Sequence, residues 1–345
     1  MKVDEDENNV IQLSEDRNKK KGALKMKTLH KTVVLCIMVC LVAGNTLGQE
    51  NEEIHKTFKA KKTVAISTVS GDCIVKQGGS DKILVDLVYS VEPEDAFKPE
   101  FRERGNSLRL KERWYGSNSS GRVTWTLTVP PQTEIEFSTA SGDLTVEGLT
   151  NSVEASTASG DVTVENSKGE FELSTASGDI SFEDTQGEFD ISTASGEIEA
   201  YNIQGTIEMS TASGDIDVSD SRGFFELSCA SGGVDASNIF IEEESSFSTA
   251  SGKVYVSVAK TPEYDLELSS ASGNAILDYN GNPIKGYFEF TARKRRGRIS
   301  SPIQFDREEE YERNDQPYVR KSFTKGGANP KITISTASGR ASLKK

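Results

Sequence analysis

Gly169-Glu170-Phe171-Glu172-Leu173-Ser174-Thr175-Ala176-Ser177-Gly178-Asp179-Ile180-Ser181-Phe182-Glu183-Asp184-Thr185-Gln186 is one turn of a repeat that runs through this 345-residue chain. Phe171, Leu173 and Thr175 alternate with Glu170, Glu172 and Ser174, the period of a strand with one wet face. After Ser-Gly-Asp, Ile180 and Phe182 alternate with Ser181 and Glu183, and the chain turns again through Asp184-Thr185-Gln186-Gly187. Each coil is therefore two short strands and two corners. Gly permits positive φ at such corners, and Asp, Asn and Ser bond back to nearby backbone.

The corner motif Ser-x-Ala-Ser-Gly occurs nine times, and Gly142, Gly160, Gly178, Gly196, Gly214 and Gly232 follow one another at 18 residues. Gly252, Gly273 and Gly339 follow at 20, 21 and 66, and Gly71 closes a degenerate copy. Such a period marks a solenoid of stacked coils. The predicted fold is all-β: a β-solenoid, parallel β-helix-like, with about 18 residues and two short strands per coil. Two inward ladders are expected: Phe137, Ala155, Leu173, Ile191, Met209, Leu227, and Leu144, Val162, Ile180, Ile198, Ile216, Val234. Each large apolar member contributes roughly 1.5–3 kcal/mol on burial. Thr139, Thr157, Thr175, Thr193, Thr211, Cys229 and Thr249 share the inward parity of the first ladder, and Cys73 takes the Leu144-type position. The two thiols then sit in different ladders of distant coils, and no disulfide is expected.

Ahead of the repeats, Met26 to Lys31 is basic, Val33 to Ala43 is an apolar run of 11, and Asn45 to Gln49 is small and polar. This reads as a signal peptide at 26–48 cut at Gly48/Gln49, too short in its apolar run for the ~20 residues that span a bilayer. Residues 1–25 read as a non-native or disordered extension before a true start at Met26. Residues 49–57 are expected to be a disordered mature N-terminus, and 58–345 one continuous solenoid. Its coils are irregular over 58–137, regular over 138–280, and irregular again over 281–345, with a last coil from Lys331 to Leu343. Without residues 1–48 the chain holds 32 basic and 48 acidic residues, a formal charge of −16. That balance excludes a nucleic-acid partner, whose phosphates reward clustered Lys and Arg.

The Ser-x-Ala-Ser-Gly-Asp coils from Phe137 to Val256, the strand ending Val129-Pro130-Pro131, and the closing Gly326-Gly327-Ala328-Asn329-Pro330-Lys331-Ile332 segment resemble a known group. The resemblance, over about residues 58–343, is to the bacterial candidate-adhesin family of β-strand repeat proteins, exported domains of unknown function. It implies a single-stranded, right-handed β-solenoid at the cell envelope and carries over no catalytic residue.

Two sets of residues invite a functional reading. Asp143, Asp161, Asp179 and Asp215, with Glu197 between, form an acidic column along one corner, broken by Gly233, Lys253, Asn274 and Arg340. Carboxylates 4.8 Å apart repel by about 0.9 kcal/mol in water and about 3.5 at an effective dielectric of 20. Solvent and backbone bonds offset that, or a cation such as calcium does. The column lacks the denser Gly-Gly-x-Gly-x-Asp pattern of calcium-binding coils. Turn aspartates are therefore the expectation and a calcium site the alternative. A carbohydrate-active β-helix is the parallel alternative, but catalytic carboxylate pairs need unlike environments, and a repeated column supplies like ones. His55 alone follows the signal, so no triad or multi-His zinc site is expected, nor any cofactor.

Trp114 and Tyr115, flanked by Gly, Ser and Asn, are the candidate ligand contacts in the excursion Glu92 to Gly121. The basic run Arg293 to Arg298 reads as a solvated strand facing Asp306 to Glu312. Taken together, the sequence points to a non-enzymatic exported protein of the periplasm, cell surface or extracellular space. It would be an adhesin-like or envelope scaffold with an unknown protein or glycan partner and no membrane span after cleavage. Arg340, Lys344 and Lys345 charge the last coil and favour a monomer.

Overall fold

The computed structural model describes residues 51–79, 81–116 and 118–345. The expected extension at 1–25 and signal peptide at 26–48 lie outside the described residues.

Two parallel sheets face each other, and every regular coil gives one strand to each. In the first sheet Glu134–Thr139 pairs with Val153–Thr157, then Lys168–Thr175, and so on to Leu266–Ser270. In the second, Leu144–Glu147 pairs with Val162–Glu165, then Ile180–Glu183, and so on to Ala275–Asp278. Residues 18 apart are partners through the coils up to Cys229 and Ser237, as in Leu173↔Ile191 and Ile180↔Ile198, and the next two coils keep the pairing at 20 and 21. Both expected ladders are buried between the sheets. A further pair adds aromatic bulk: Phe171 stacks on Phe189 at 5.3 Å, and Phe182 meets both edge-on from the opposite sheet. Such contacts add about 0.5–1.5 kcal/mol beyond the area buried.

Both thiols are buried and free, and Cys73 pairs in register with Leu144. Burial pushes the Cys73 thiol pKa far up, with help from the negative charges of Glu112 and Asp72.

The corner glycines do not serve the purpose expected of them. None of those closing Ser-x-Ala-Ser-Gly takes a positive φ. They are needed because the next coil is too close: a Cβ at Gly160 would stand 1.8 Å from the Gly142 carbonyl oxygen. The same holds up the column, at 1.8 Å for Gly196 against Gly178 and 1.9 Å for Gly339 against Gly273. Positive φ is used at the opposite corner instead. Asn166, Asp184, Asn202, Asp220 and Asn238 take φ of 50, 52, 51, 52 and 56°, a region that Asn and Asp tolerate better than other side chains. The amide of Asn202 donates to Asp184 at 2.5 Å and that of Asn238 to Asp220 at 2.6 Å. Alternating amide and acid keeps like charges off adjacent coils.

Chain order and spatial order part company at both ends. The coil Thr63–Ser67 with Asp72–Gln77 has the first regular coil on one side. On its other side lies a coil made later in the chain, Ser107–Trp114 with Ser120–Val129. Antiparallel strands then close the end. Phe97–Arg104 extends the first sheet, while Lys82–Glu92 and then Glu52–Lys59 extend the second. The far end repeats the device. Lys331–Thr336 with Arg340–Lys344 enters between Leu266–Ser270 with Ala275–Asp278 and an outer coil, Gly286–Arg293 with Arg298–Ser300. Gln316–Lys325 and Arg307–Arg313 close it.

Two expectations change accordingly. The strand Glu52–Lys59 takes in most of the segment 49–57 expected to be disordered, because Ile54 and Phe58 pack against the core through an eight-residue antiparallel register. The coil carrying Arg340 and Lys344 is not the open end, because the 66-residue spacing places another coil outside it. The exposed edges are instead charged strands, Glu52–Lys59 and Arg307–Arg313 among them, which resist edge-to-edge pairing.

The glycine contact predicts that Gly196→Ala destabilises the protein by about 3 kcal/mol, the upper end of overpacking costs. Gly233→Ala, whose Cβ would meet nothing closer than 3.3 Å, should cost far less. Paired thermal melts check the contrast.

Candidate functional site

The residues of the corner motif are occupied with building. From Thr139 to Thr249 the Thr hydroxyls accept the N–H of the Gly three residues on, as at Gly160 (2.8 Å), Gly178 (2.9 Å) and Gly196 (3.0 Å). Several also donate to the Gly carbonyl of the preceding coil, Thr249 to Gly232 at 2.7 Å and Thr336 to Gly273 at 2.8 Å. Cys229 does both with its sulfur: Sγ accepts from Gly232 N–H at 2.8 Å and its S–H donates to the Gly214 carbonyl at 3.1 Å.

The column of acids is the third part of this clamp. Asp143 Oδ1 accepts the backbone N–H of Asp161 at 2.9 Å, and Asp161 Oδ1 that of Asp179 at 2.8 Å. Asp179 Oδ1 accepts from Glu197 at 2.8 Å and Asp215 Oδ1 from Gly233 at 2.7 Å. Asn274 Oδ1 fills the same role toward Arg340 N–H at 2.9 Å. An amide oxygen thus suffices. Among the described residues no group of three or more His, Cys, Asp or Glu is placed to hold a metal ion.

One acidic patch lies beside that corner, on the outer face of the second sheet. Withdrawal of water from the Asp217 carboxyl, followed by the charges of Asp235, Asp215, Glu199 and Glu197, pushes its pKa up to about 7. The side chain keeps an exposed surface, so solvent screens part of that repulsion.

Trp114 and Tyr115 fall at the solenoid's N-terminal end, and only Tyr115 is in a loop. Trp114 closes the strand Ser107–Trp114, and its indole N–H donates to Glu112 at 3.1 Å while Phe97 meets its ring at 5.1 Å. Glu112 is itself buried at a core position. Its carboxylate accepts from Trp125 at 2.9 Å and from the Val69 backbone at 2.8 Å. Both tryptophans of the chain therefore bind one carboxylate. Tyr115 is exposed at 51%. This knot joins three segments distant in sequence, and no local pattern announces it.

The same strand borders an open trough of about 490 Å³ on the outer face of the first sheet. Ala65 and Ser67 form its floor, between Arg109 and Lys111 on one side and Glu136 and Ser138 on the other. The trough exists because the outward side chain between Arg109 and Glu136 is a methyl group. Glu100 holds both Arg102, on its own strand, and Arg113, on the neighbouring one. Arg109 and Lys111, among the described residues, have no ion-pair partner. The floor of small residues and the walls of opposite charge suit a polar, extended ligand. The expected contacts at Trp114 and Tyr115 thus lie one strand-end away from the concave surface, and the signal that marks it is the Arg109-Leu110-Lys111 alternation.

Of the basic run, Lys294 pairs with Glu310 at 2.5 Å across the closing strands, and Arg295, Arg296 and Arg298 are exposed. His55 Nδ1–H donates to Asp86 Oδ1 at 2.6 Å, and that bond raises the imidazole's pKa.

The family described as Toastrack DUF4097 matches residues 62–296. No curated protein matches the chain. Among solved structures, a candidate cell adhesion protein from Clostridium sporogenes ATCC 15579 is 12% identical, with 86% of this chain and 99% of that chain covered and a TM-score of 0.25. A candidate lipid binding protein from Parabacteroides distasonis ATCC 8503 is 14% identical, covering 86% and 96%, at 0.41. A candidate adhesin from Bacteroides fragilis NCTC 9343 is 11% identical, covering 87% and 99%, at 0.33. Likeness of this degree carries nothing about ligands.

Two outcomes follow. Glu112→Gln should destabilise the N-terminal end by about 2 kcal/mol, since an amide cannot accept at both of its heads. Tryptophan fluorescence will show it, because both indoles report on that carboxylate. Asp217 binds its proton more tightly in the folded state than in the unfolded one, so its contribution favours folding at low pH. That contribution is lost as pH rises from the ordinary carboxylate range through about 7. Asp217→Asn should therefore raise the melting temperature at pH 8 and leave it unchanged at pH 4.

Proposed function

We propose, from the premise that the chain belongs to the Toastrack DUF4097 family, that it is a non-enzymatic, exported, adhesin-like or envelope scaffold protein. It works by presenting a long, repetitive β-solenoid surface, and it recognises its protein or glycan partner where the repeat gives way to the N-terminal excursion. One observation carries this reading. The Ser, Thr, Asp and Gly that look like chemistry in the sequence are spent on bonds between coils, whereas Arg109 and Lys111, which form no ion pair among the described residues, line a trough. Recognition by two fixed cations above a hydroxyl-bearing floor suits an acidic or hydroxyl-rich partner surface.

Surface protease shaving of the native cells, with crosslinking, tests location and partner together. Cleavage on intact cells and a crosslinked envelope partner are expected. The crosslink should disappear in Arg109→Ala/Lys111→Ala, with melting unchanged. A protein retained in the cytoplasm would overturn the reading. Asp161→Asn/Asp179→Asn should melt within about 1 kcal/mol of the parent, with or without chelator. A melting temperature that falls on chelation in the parent and not in this variant would establish the calcium-dependent alternative instead.

A further inference from the structure

The corner column continues past its acids, and its charge reverses. In spatial order its rungs are Asp72, Asp143, Asp161, Asp179, Glu197, Asp215, Gly233, Lys253, Asn274, Arg340 and Arg298. Six acids are followed by one rung without a side chain, and then by Lys, Asn, Arg and Arg. The change to Lys253, Asn274 and Arg340 can be read along the chain, but the last rung cannot, because Arg298 precedes Arg340 in sequence and lies beyond it only in space.

This order is self-complementary. A two-fold axis through Gly233 sets Asp215 against Lys253 of a second copy, Asp179 against Arg340 and Asp161 against Arg298. Glu197 falls opposite Asn274. Each pair occurs twice, giving six ion pairs along roughly 38 Å of corner, from eight steps of about 4.8 Å between rungs. The one rung lacking a side chain falls on the axis, where two copies come closest. The corner beside it is built from exposed Ala and Ser such as Ala212, Ser213 and Ser231, which let two edges approach.

The groups are also available. Each coil-to-coil bond takes Oδ1 of an aspartate. Among the described residues Oδ2 of Asp161, Asp179 and Asp215 has no hydrogen-bond or ion-pair partner, nor do the guanidinium groups of Arg298 and Arg340. Lys253 rests 3.6 Å from Asp235 and 4.3 Å from the ring of Tyr255, exposed and within reach of a second carboxylate.

We propose that this corner is a self-association surface whose partner is a second copy of the same chain, docked antiparallel about a two-fold axis at Gly233. Isologous contacts of this kind close on themselves and stop at the dimer. Exposed ion pairs are individually weak and screened by salt, so the dimer is reversible and favoured at low ionic strength.

Sedimentation velocity on the purified chain tests this, at salt on the order of 0.02 M and 0.5 M, either side of the physiological value. A dimer at low salt, weakened at least about tenfold at high salt, is expected. Lys253→Glu/Arg340→Glu should be monomeric at both. Asp179→Lys/Asp215→Lys, at positions where the Lys253 rung shows Lys to be tolerated, should be monomeric as well. Mixing the two variants should restore a heterodimer, which a merely misfolded variant cannot do. Gly233→Cys should form a disulfide between copies under mild oxidation. Asp143→Cys, whose two-fold mate lies beyond Arg298, should not. A monomer at low salt, a dimer that survives charge reversal, or crosslinking at 143 and not at 233 would each overturn the proposal.

Discussion

The distance between successive coils at one corner governs this protein. Glycine carbonyls there lie where the next glycine's Cβ would be, at 1.8–2.1 Å along the stack if one is added. Strand pairing alone sets coils about 4.8 Å apart, and at the corner only a residue without a side chain can hold that separation. The threonine hydroxyl, the aspartate carboxylate and the serines around them then have fixed targets on the neighbouring coil. The inward ladders align because the corners do. Bonds that satisfy backbone donors at a bend exposed to water replace the ladder bonds of the strands, so the array keeps its polar groups paired through the turns.

Much of this was legible in the residues. Alternation gave strands, the 18-residue period gave coils, and parity placed Cys73 on the Leu144 ladder and Cys229 among the threonines, where both are found. The reason for glycine was not legible, because a close approach between coils leaves no more trace in sequence than a turn of unusual φ. Positive φ belongs instead to Asn166, Asp184 and their successors, whose alternation of amide and acid is visible once the partner coil is known. The ends were least legible. Periodicity orders coils as they are written, whereas pairing there joins Thr63–Ser67 to strands that begin 44 and 71 residues later.

The candidate site divides the same way. The aspartate column was correctly located by spacing, and its hydrogen-bonding role toward the next coil became clear only from geometry. Trp114 was noticed for its chemistry, but its indole is committed to Glu112, a carboxylate whose other partners come from Trp125 and Val69. The trough beside it depends on Ala65 lying between Arg109 and Glu136, a juxtaposition of three segments. Sites that the repeat builds are readable from one coil; sites at its interruptions are made of pieces that meet only after folding.

The intercalated coils also prescribe an order of assembly. Residues 63–77 can nucleate no stack on their own, because both flanking coils come from residues 107–147. The coil at 331–344 likewise fits between a regular coil and one written before it. The middle coils, whose partners are 18 residues away, close short loops at low entropic cost, and the two end coils wait for longer ones. Growth therefore proceeds outward from the regular array, and each end is sealed by a segment slipped in beneath its own cover. Extra 18-residue units can enter the middle without disturbing either seal, so length is free to vary while the ends stay the same.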